Sequence, residues 1–126
     1  MSEKKAADPA QVEALKALTE YSPRFVNSLK AVHDELVIER KPDTYEFLDA
    51  VINGMNWEIE VYNGTKELFS GNDDLDKDKA NAAFVDFSSA FKRHDDEAMG
   101  RILREKIIPF FTALEGAAIS AVADNQ

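Results

Sequence analysis

Asp74-Leu75-Asp76-Lys77-Asp78 sets carboxylates at alternate positions, the spacing with which a calcium-binding loop begins. Such a loop goes on to a glycine at position six and a bidentate Glu at position twelve. Lys79 and Val85 stand there instead, so the run reads as acidic residues capping the start of a helix. A di-iron or di-manganese centre in a helical bundle needs Glu-x-x-His pairs on facing helices. Lys30 precedes His33 by three residues and Phe91 precedes His94 by three, and the chain has 2 histidines. No metal is expected. His33, Asp34 and Glu35 are consecutive on one helix, so their side chains should diverge, and His94 reads as an exposed loop residue. Glu58 and Glu60 flank Ile59 beside Trp57. A carboxylate buried against an indole would be an acid of raised pKa, but both are expected to point to water. The sequence has no Ser/His/Asp grouping, Gly-rich phosphate loop or Walker-type lysine. The chain reads as non-enzymatic, without a cofactor.

What it offers instead is aromatic surface. Trp57, Tyr62, Phe69, Phe84, Phe87, Phe91, Phe110 and Phe111 are many large rings for a chain of 126 residues. Most fit a core. Trp57, Val61 and Phe111 fall off the main apolar stripes, and these three form the candidate groove for a partner helix or for a second copy of the chain.

The elements that would position them are helical. Leu15, Leu18, Ser22, Phe25, Leu29, Val32 and Leu36 follow alternating three- and four-residue steps, the seam of a helix bundle. Asp8 and Pro9 suit an N-cap and first helical position. Pro23 lies within the pattern, and the unbroken phase predicts a kinked but nearly continuous helix. Residues 44–70 admit two readings. As a helix, Leu48, Ile52, Met55, Ile59, Tyr62 and Phe69 keep helical spacing, and Gly54 and Gly64 would mark close approach of another helix. As a hairpin, Trp57, Ile59 and Val61 alternate with Glu58 and Glu60 before an Asn63-Gly64 turn. No other segment supplies strands to pair with, which favours the helix.

A third helix is expected over residues 76–93, with Ala80, Phe84, Phe87 and Phe91 on one side. Gly71 would end the element before it. The fourth helix carries Met99, Ile102, Leu103, Ile107, Phe110, Leu114, Ala117 and Val122, starts at a cap on Asp95, and should kink ahead of Pro109. Short links make neighbours antiparallel. The expected fold is all-α, an antiparallel up-down-up-down four-helix bundle kinked near Pro23 and Pro109. Residues 1–8 would be a disordered lead, 9–123 one domain, and 124–126 a frayed tail.

Composition fits one globular domain: 14.1 kDa, 44% hydrophobic residues and no cysteine. A net charge of −9 argues against nucleic acid or an anionic membrane as partner. No apolar leader follows the charged N-terminus, and no run looks long enough to span a bilayer. Cytoplasmic location is the expectation, which leaves the sequon at Asn63-Gly64-Thr65 without meaning.

Two segments carry a resemblance. Ile52-Asn53-Gly54-Met55-Asn56-Trp57-Glu58-Ile59 resembles the "I-x-G-[LM]-x-W-x-[IL]" helix of a family of small, uncharacterised bacterial helical proteins. Met99-Gly100-Arg101-Ile102-Leu103-Arg104-Glu105-Lys106-Ile107-Ile108-Pro109 resembles that family's second motif, "L-x-D-L-L-x-Y-E-[IL]-[IL]-P", with Arg101 and Lys106 in place of its acidic residues. The resemblance implies a helical fold and, from the family's association with motility genes, a role like that of the flagellar export chaperones. Tyr62-Asn63-Gly64 is also similar to a tripeptide of the flagellin chaperone FliS, a weak similarity to flagellar export chaperones of the FliS/FliT type. The functional expectation is a non-enzymatic protein-interaction or chaperone-like accessory protein, binding a protein partner or itself. The alternatives are a small-molecule or metal-dependent enzyme built on Trp57, Glu58 and Tyr62, and a purely structural homodimer. A closed pocket with converging carboxylates would favour the enzyme, an open apolar groove the binding module.

Overall fold

The computed structural model describes residues 8–69 and 75–125. The seven N-terminal residues and the link expected to hold Gly71 lie outside the described residues. So do Asp74 of the acidic run and Gln126.

Helix α1, Pro9–Val37, starts with a capping box. Asp8 accepts from the Ala10 N–H at 2.9 Å and the Gln11 side chain accepts from the Asp8 N–H at 3.1 Å. Asp8 is thus the N-cap of the first helix, as expected from its place before Pro9. The whole expected seam, Leu15 to Leu36 including Ser22, is buried. Pro23 is exposed within the helix, which runs through it without a break.

The choice between helix and hairpin resolves as helix. Helix α2, Thr44–Thr65, passes through Asn63 and Gly64 and tightens into a 3₁₀ turn, Lys66–Phe69. Thr44 closes its start: its hydroxyl accepts from the Lys41 N–H at 2.8 Å and donates to Glu35 at 2.9 Å. Three contacts set α1 and α2 antiparallel. Gln11 donates to the Gly64 carbonyl at 3.1 Å, Ser22 meets Glu58, and Glu35 meets Thr44. Gly54 is a point of close approach between the two helices; a β-carbon there would lie 2.5 Å from the Tyr21 hydroxyl and 2.9 Å from the Phe25 ring. Gly64 faces open space, so its expected packing role is not seen.

Helix α3, Lys77–Lys92, is capped by Asp76, whose side chain accepts from the Lys79 N–H. It ends with His94 in the left-handed region at φ 54°, while Asp95 and His94 donate to the Ala90 and Phe91 carbonyls. That is a Schellman ending with histidine where glycine is usual. The His94 ring stacks on Tyr45 at 5.1 Å.

The fourth rod is one helix in three parts: α4, Asp96–Ile102; a π turn, Leu103–Ile107; and α5, Ile108–Asp124. Asp95 caps it as expected, accepting from the Ala98 N–H at 3.0 Å. Pro109 has no N–H to offer the Glu105 carbonyl. The chain answers with a wider turn, in which the Ile108 N–H donates five residues back to Leu103, instead of breaking.

Helix α1 packs on α2, α4 and α5, and α3 packs on α4 and the π turn. The four rods form an all-α four-helix bundle, alternately up and down. The core centres on Phe25, Leu29, Phe110, Phe111 and Leu114; Phe25 and Phe111 meet edge to face at 5.0 Å. One expectation needs correction. The rod Asp96–Asp124 is long enough to cross a membrane and holds an 18-residue window of mean hydropathy 1.4, because residues 107–123 carry only Glu115 as a charge. Of that window, 44% is buried inside the bundle.

Candidate functional site

Two features stand apart from ordinary bundle packing. The first is a groove between α2 and α3, whose backbones approach each other less closely than the other neighbouring pairs. Its floor is Met55 and Phe87, both buried, flanked by half-buried Ile52, Ile59, Phe84 and Phe91. Asp49 and Asn56 form the α2 wall, Ser88 and Lys92 the α3 wall, and the groove encloses about 470 Å³. The sequence dictates this spacing of rods. Helix α3 turns its small residues Ala80, Ala83 and Ala90 toward the rest of the bundle, where they are buried. That seats it closely against α4 and leaves Phe84 and Phe91 rotated to the rim. From sequence all of Ala80, Phe84, Phe87 and Phe91 read as one buried line; only Ala80 and Phe87 are.

The second feature is Glu58. It was expected to face water and is fully buried. One carboxyl oxygen accepts from the Ser22 hydroxyl at 3.1 Å; the other has no hydrogen-bond partner. Burial pushes its pKa up to about 8, the Ser22 hydrogen bond opposes the shift, and Glu115 across the seam reinforces it. At neutral pH the group is therefore mostly a neutral acid. Glu58 in turn adds to the effect of burial in raising the Tyr21 hydroxyl. Tyr21 sits edge-on to Trp57 at 5.3 Å. The groups that act on Glu58 across the seam are the Ser22 hydroxyl, within hydrogen-bond distance, and Glu115, through its charge.

The three residues singled out as a partner surface are not brought together. Trp57, 36% exposed, and half-buried Val61 do share a shallow depression with Ala10, Gln11, Ala14 and Gly64 on the α1 side of α2. Phe111 is fully buried in the core against Phe25 and Phe110. It lies next to Phe110 in a helix whose inward face is wide enough to take both rings. Glu60 is exposed as expected. His33 and Asp34, expected to diverge, meet at 2.9 Å, and His33 also lies 3.4 Å from Arg104 on the fourth rod. Among the described residues no three His, Asp or Glu side chains converge as a metal site.

At one end of the bundle Tyr45 ties the links together. Its hydroxyl donates to Asp96 at 2.7 Å, and Arg40 lies over its ring at 4.6 Å while pairing with Asp96. Burial and then the Asp96 hydrogen bond push this phenol up to about 12. This cluster fastens the α1–α2 and α3–α4 links, and its chemistry is structural.

Fold and site together define a class: a small all-helical bundle with an open apolar groove and, among the described residues, one fully buried acid. Over residues 13–117 the chain matches the family described as a domain of unknown function, DUF8042, and it belongs to that family. This agrees with the resemblance of residues 52–59 and 99–109 to an uncharacterised family of helical proteins. No curated protein and no solved structure matches the chain. The family's description names no activity, so function is argued from the geometry.

Proposed function

We propose that this chain is a non-enzymatic interaction module that holds a protein partner in the α2–α3 groove. The observation that carries the reading is the groove itself, an open trough floored by Met55 and Phe87 and rimmed by Ile52, Ile59, Phe84 and Phe91. Aliphatic, methionine and phenylalanine side chains that can repack are the lining with which helix-binding grooves take amphipathic partners. The only buried carboxylate among the described residues, Glu58, lies on the other side of α2, sealed between helices. That weighs against the enzyme alternative. On this reading the protein works in the cytoplasm without a cofactor, nucleic acid or membrane. The finer reading, a chaperone-like accessory of the flagellar export type, rests on the motif resemblance and not on the groove.

A photo-crosslinking residue at Asn56, exposed on the groove wall, tests it against the same residue at Asn27, exposed on α1. The expected result is a discrete protein adduct from Asn56 that disappears in an Ile59→Glu background. Identical patterns from Asn56 and Asn27 would remove the groove as the working surface.

A further inference from the structure

The walls of the groove differ in charge. Helix α2 carries Glu46, Asp49, Glu58 and Glu60 and no Lys or Arg. Three of these acids, Glu46, Asp49 and Glu60, are exposed; Asp49 lines the groove, and Glu60, the residue after Ile59, lines the neighbouring depression with Trp57 and Val61. The α3 side is neutral over most of its length, with Ser88 on the wall and Val85 65% exposed beyond it; Lys92 stands only at its C-terminal end. Along the axis, the floor from Ile52 to Ile59 and from Phe84 to Phe91 spans eight residues on each helix, about 10 Å or two turns.

Resting on the groove reading above, we propose that the occupant is an amphipathic helix from another protein. It presents two turns of apolar residues to the floor and Lys or Arg along the edge that lies over α2. An apolar floor sets affinity through burial, while the acidic wall sets orientation and steers encounter. The whole-chain charge of −9 extends that steering. A second copy that set its α2 against this α2 would bring the exposed acids of both helices together, which disfavours that arrangement.

Two labelled synthetic helices with the same leucines at i, i+4 and i+7 test this, one flanked by lysine and the other by glutamate. Binding to the full chain is followed by fluorescence anisotropy. The lysine helix should bind about tenfold tighter at low salt, a preference that shrinks as salt is added. Asp49→Lys with Glu60→Lys, both at exposed positions, should reverse the preference. Ile59→Glu, checked for retained helicity by circular dichroism, should abolish binding of both. Equal affinity for the two helices, still lost in Ile59→Glu, would overturn the charge inference and leave the groove reading standing. Absence of binding, or binding that Ile59→Glu does not change, would overturn both. Light scattering showing a dimer that Ile59→Glu dissociates would overturn the inference in favour of self-association.

Discussion

Glu58 is the residue with the clearest thermodynamic consequence. Its pKa rises from 4.5 to about 8 on folding because burial disfavours the charged form. Below pH 4.5 folded and unfolded chains both hold the proton, and the native state is at full advantage. Between 4.5 and 8 the unfolded chain has released a proton that the folded chain retains. Stability therefore falls as pH rises, by about 1 kcal/mol per pH unit within that window, and levels off above it. Urea denaturation at pH 5, 6, 7 and 8 should show this decline, and Glu58→Gln, which mimics the neutral acid, should flatten it. A wild-type profile as flat as the variant's would mean that the carboxyl is hydrated in solution. The position was legible in principle. Thr44, Leu48, Val51, Met55, Glu58, Tyr62 and Thr65 form an unbroken alternation of four- and three-residue steps, and every member is buried. Apolar residue types mark the parallel series through Ile52 and Ile59 equally well, and a carboxylate in phase with the core carries no apolar signal of its own. Ser22 occupies the matching place in α1, so the two polar residues that interrupt facing seams meet each other.

At the scale of elements, α2 carries two overlapping seams, which is why the groove was not legible. Both series have the same period and similar apolar content. Only the docking of α3 decides that one seals against α1 and the other lines a trough. The order of helices, the caps at Asp8, Asp76 and Asp95, and the buried face of α1 were all readable, because local hydrogen bonding and a single unambiguous stripe determine them. The π turn was readable only as trouble ahead of Pro109; whether a chain kinks or inserts a wide turn depends on what holds its two ends. Here Leu103 and Ile107 are both buried. The two glycines of α2 provide a test with opposite signs. Gly54→Ala gains helix propensity of about 1 kcal/mol, but its methyl meets the buried Phe25 ring at 2.9 Å, a wall that cannot swing away. A net loss of about 1–3 kcal/mol is expected. Gly64→Ala meets nothing within 4 Å and should stabilise by about 0.5–1 kcal/mol. Urea midpoints of the two variants moving the same way would contradict the helix contact at Gly54.

For the molecule as a whole, the question is whether charge supports the fold or opposes it. Among the described residues, Lys and Arg pair with carboxylates at Lys16–Glu13, 3.8 Å, Arg93–Asp95, 3.6 Å, and Arg104–Glu105, 3.6 Å, all with largely solvated partners. Such pairs contribute between nothing and about 1 kcal/mol each. Arg40–Asp96, whose carboxylate is only 20% exposed, is the better placed one. Against them stands the self-repulsion of a chain at −9, with α2 lacking any cation to offset its acids. Repulsion acts over long distances and is screened first, whereas close pairs are screened last. Raising sodium chloride from about 0.01 M to 0.1 M shortens the screening length from about 30 Å to about 10 Å and should raise the thermal midpoint by a few degrees. A midpoint that falls over this range would show that the ion pairs outweigh the repulsion. The same reasoning separates stability from function on one surface. Asp49→Lys with Glu60→Lys brings the net charge nearer zero, so the double variant should be more stable at low salt and less dependent on salt than the parent. If that more stable protein also prefers the glutamate-flanked helix, the acidic wall of α2 is kept at a cost to the fold, for what it binds.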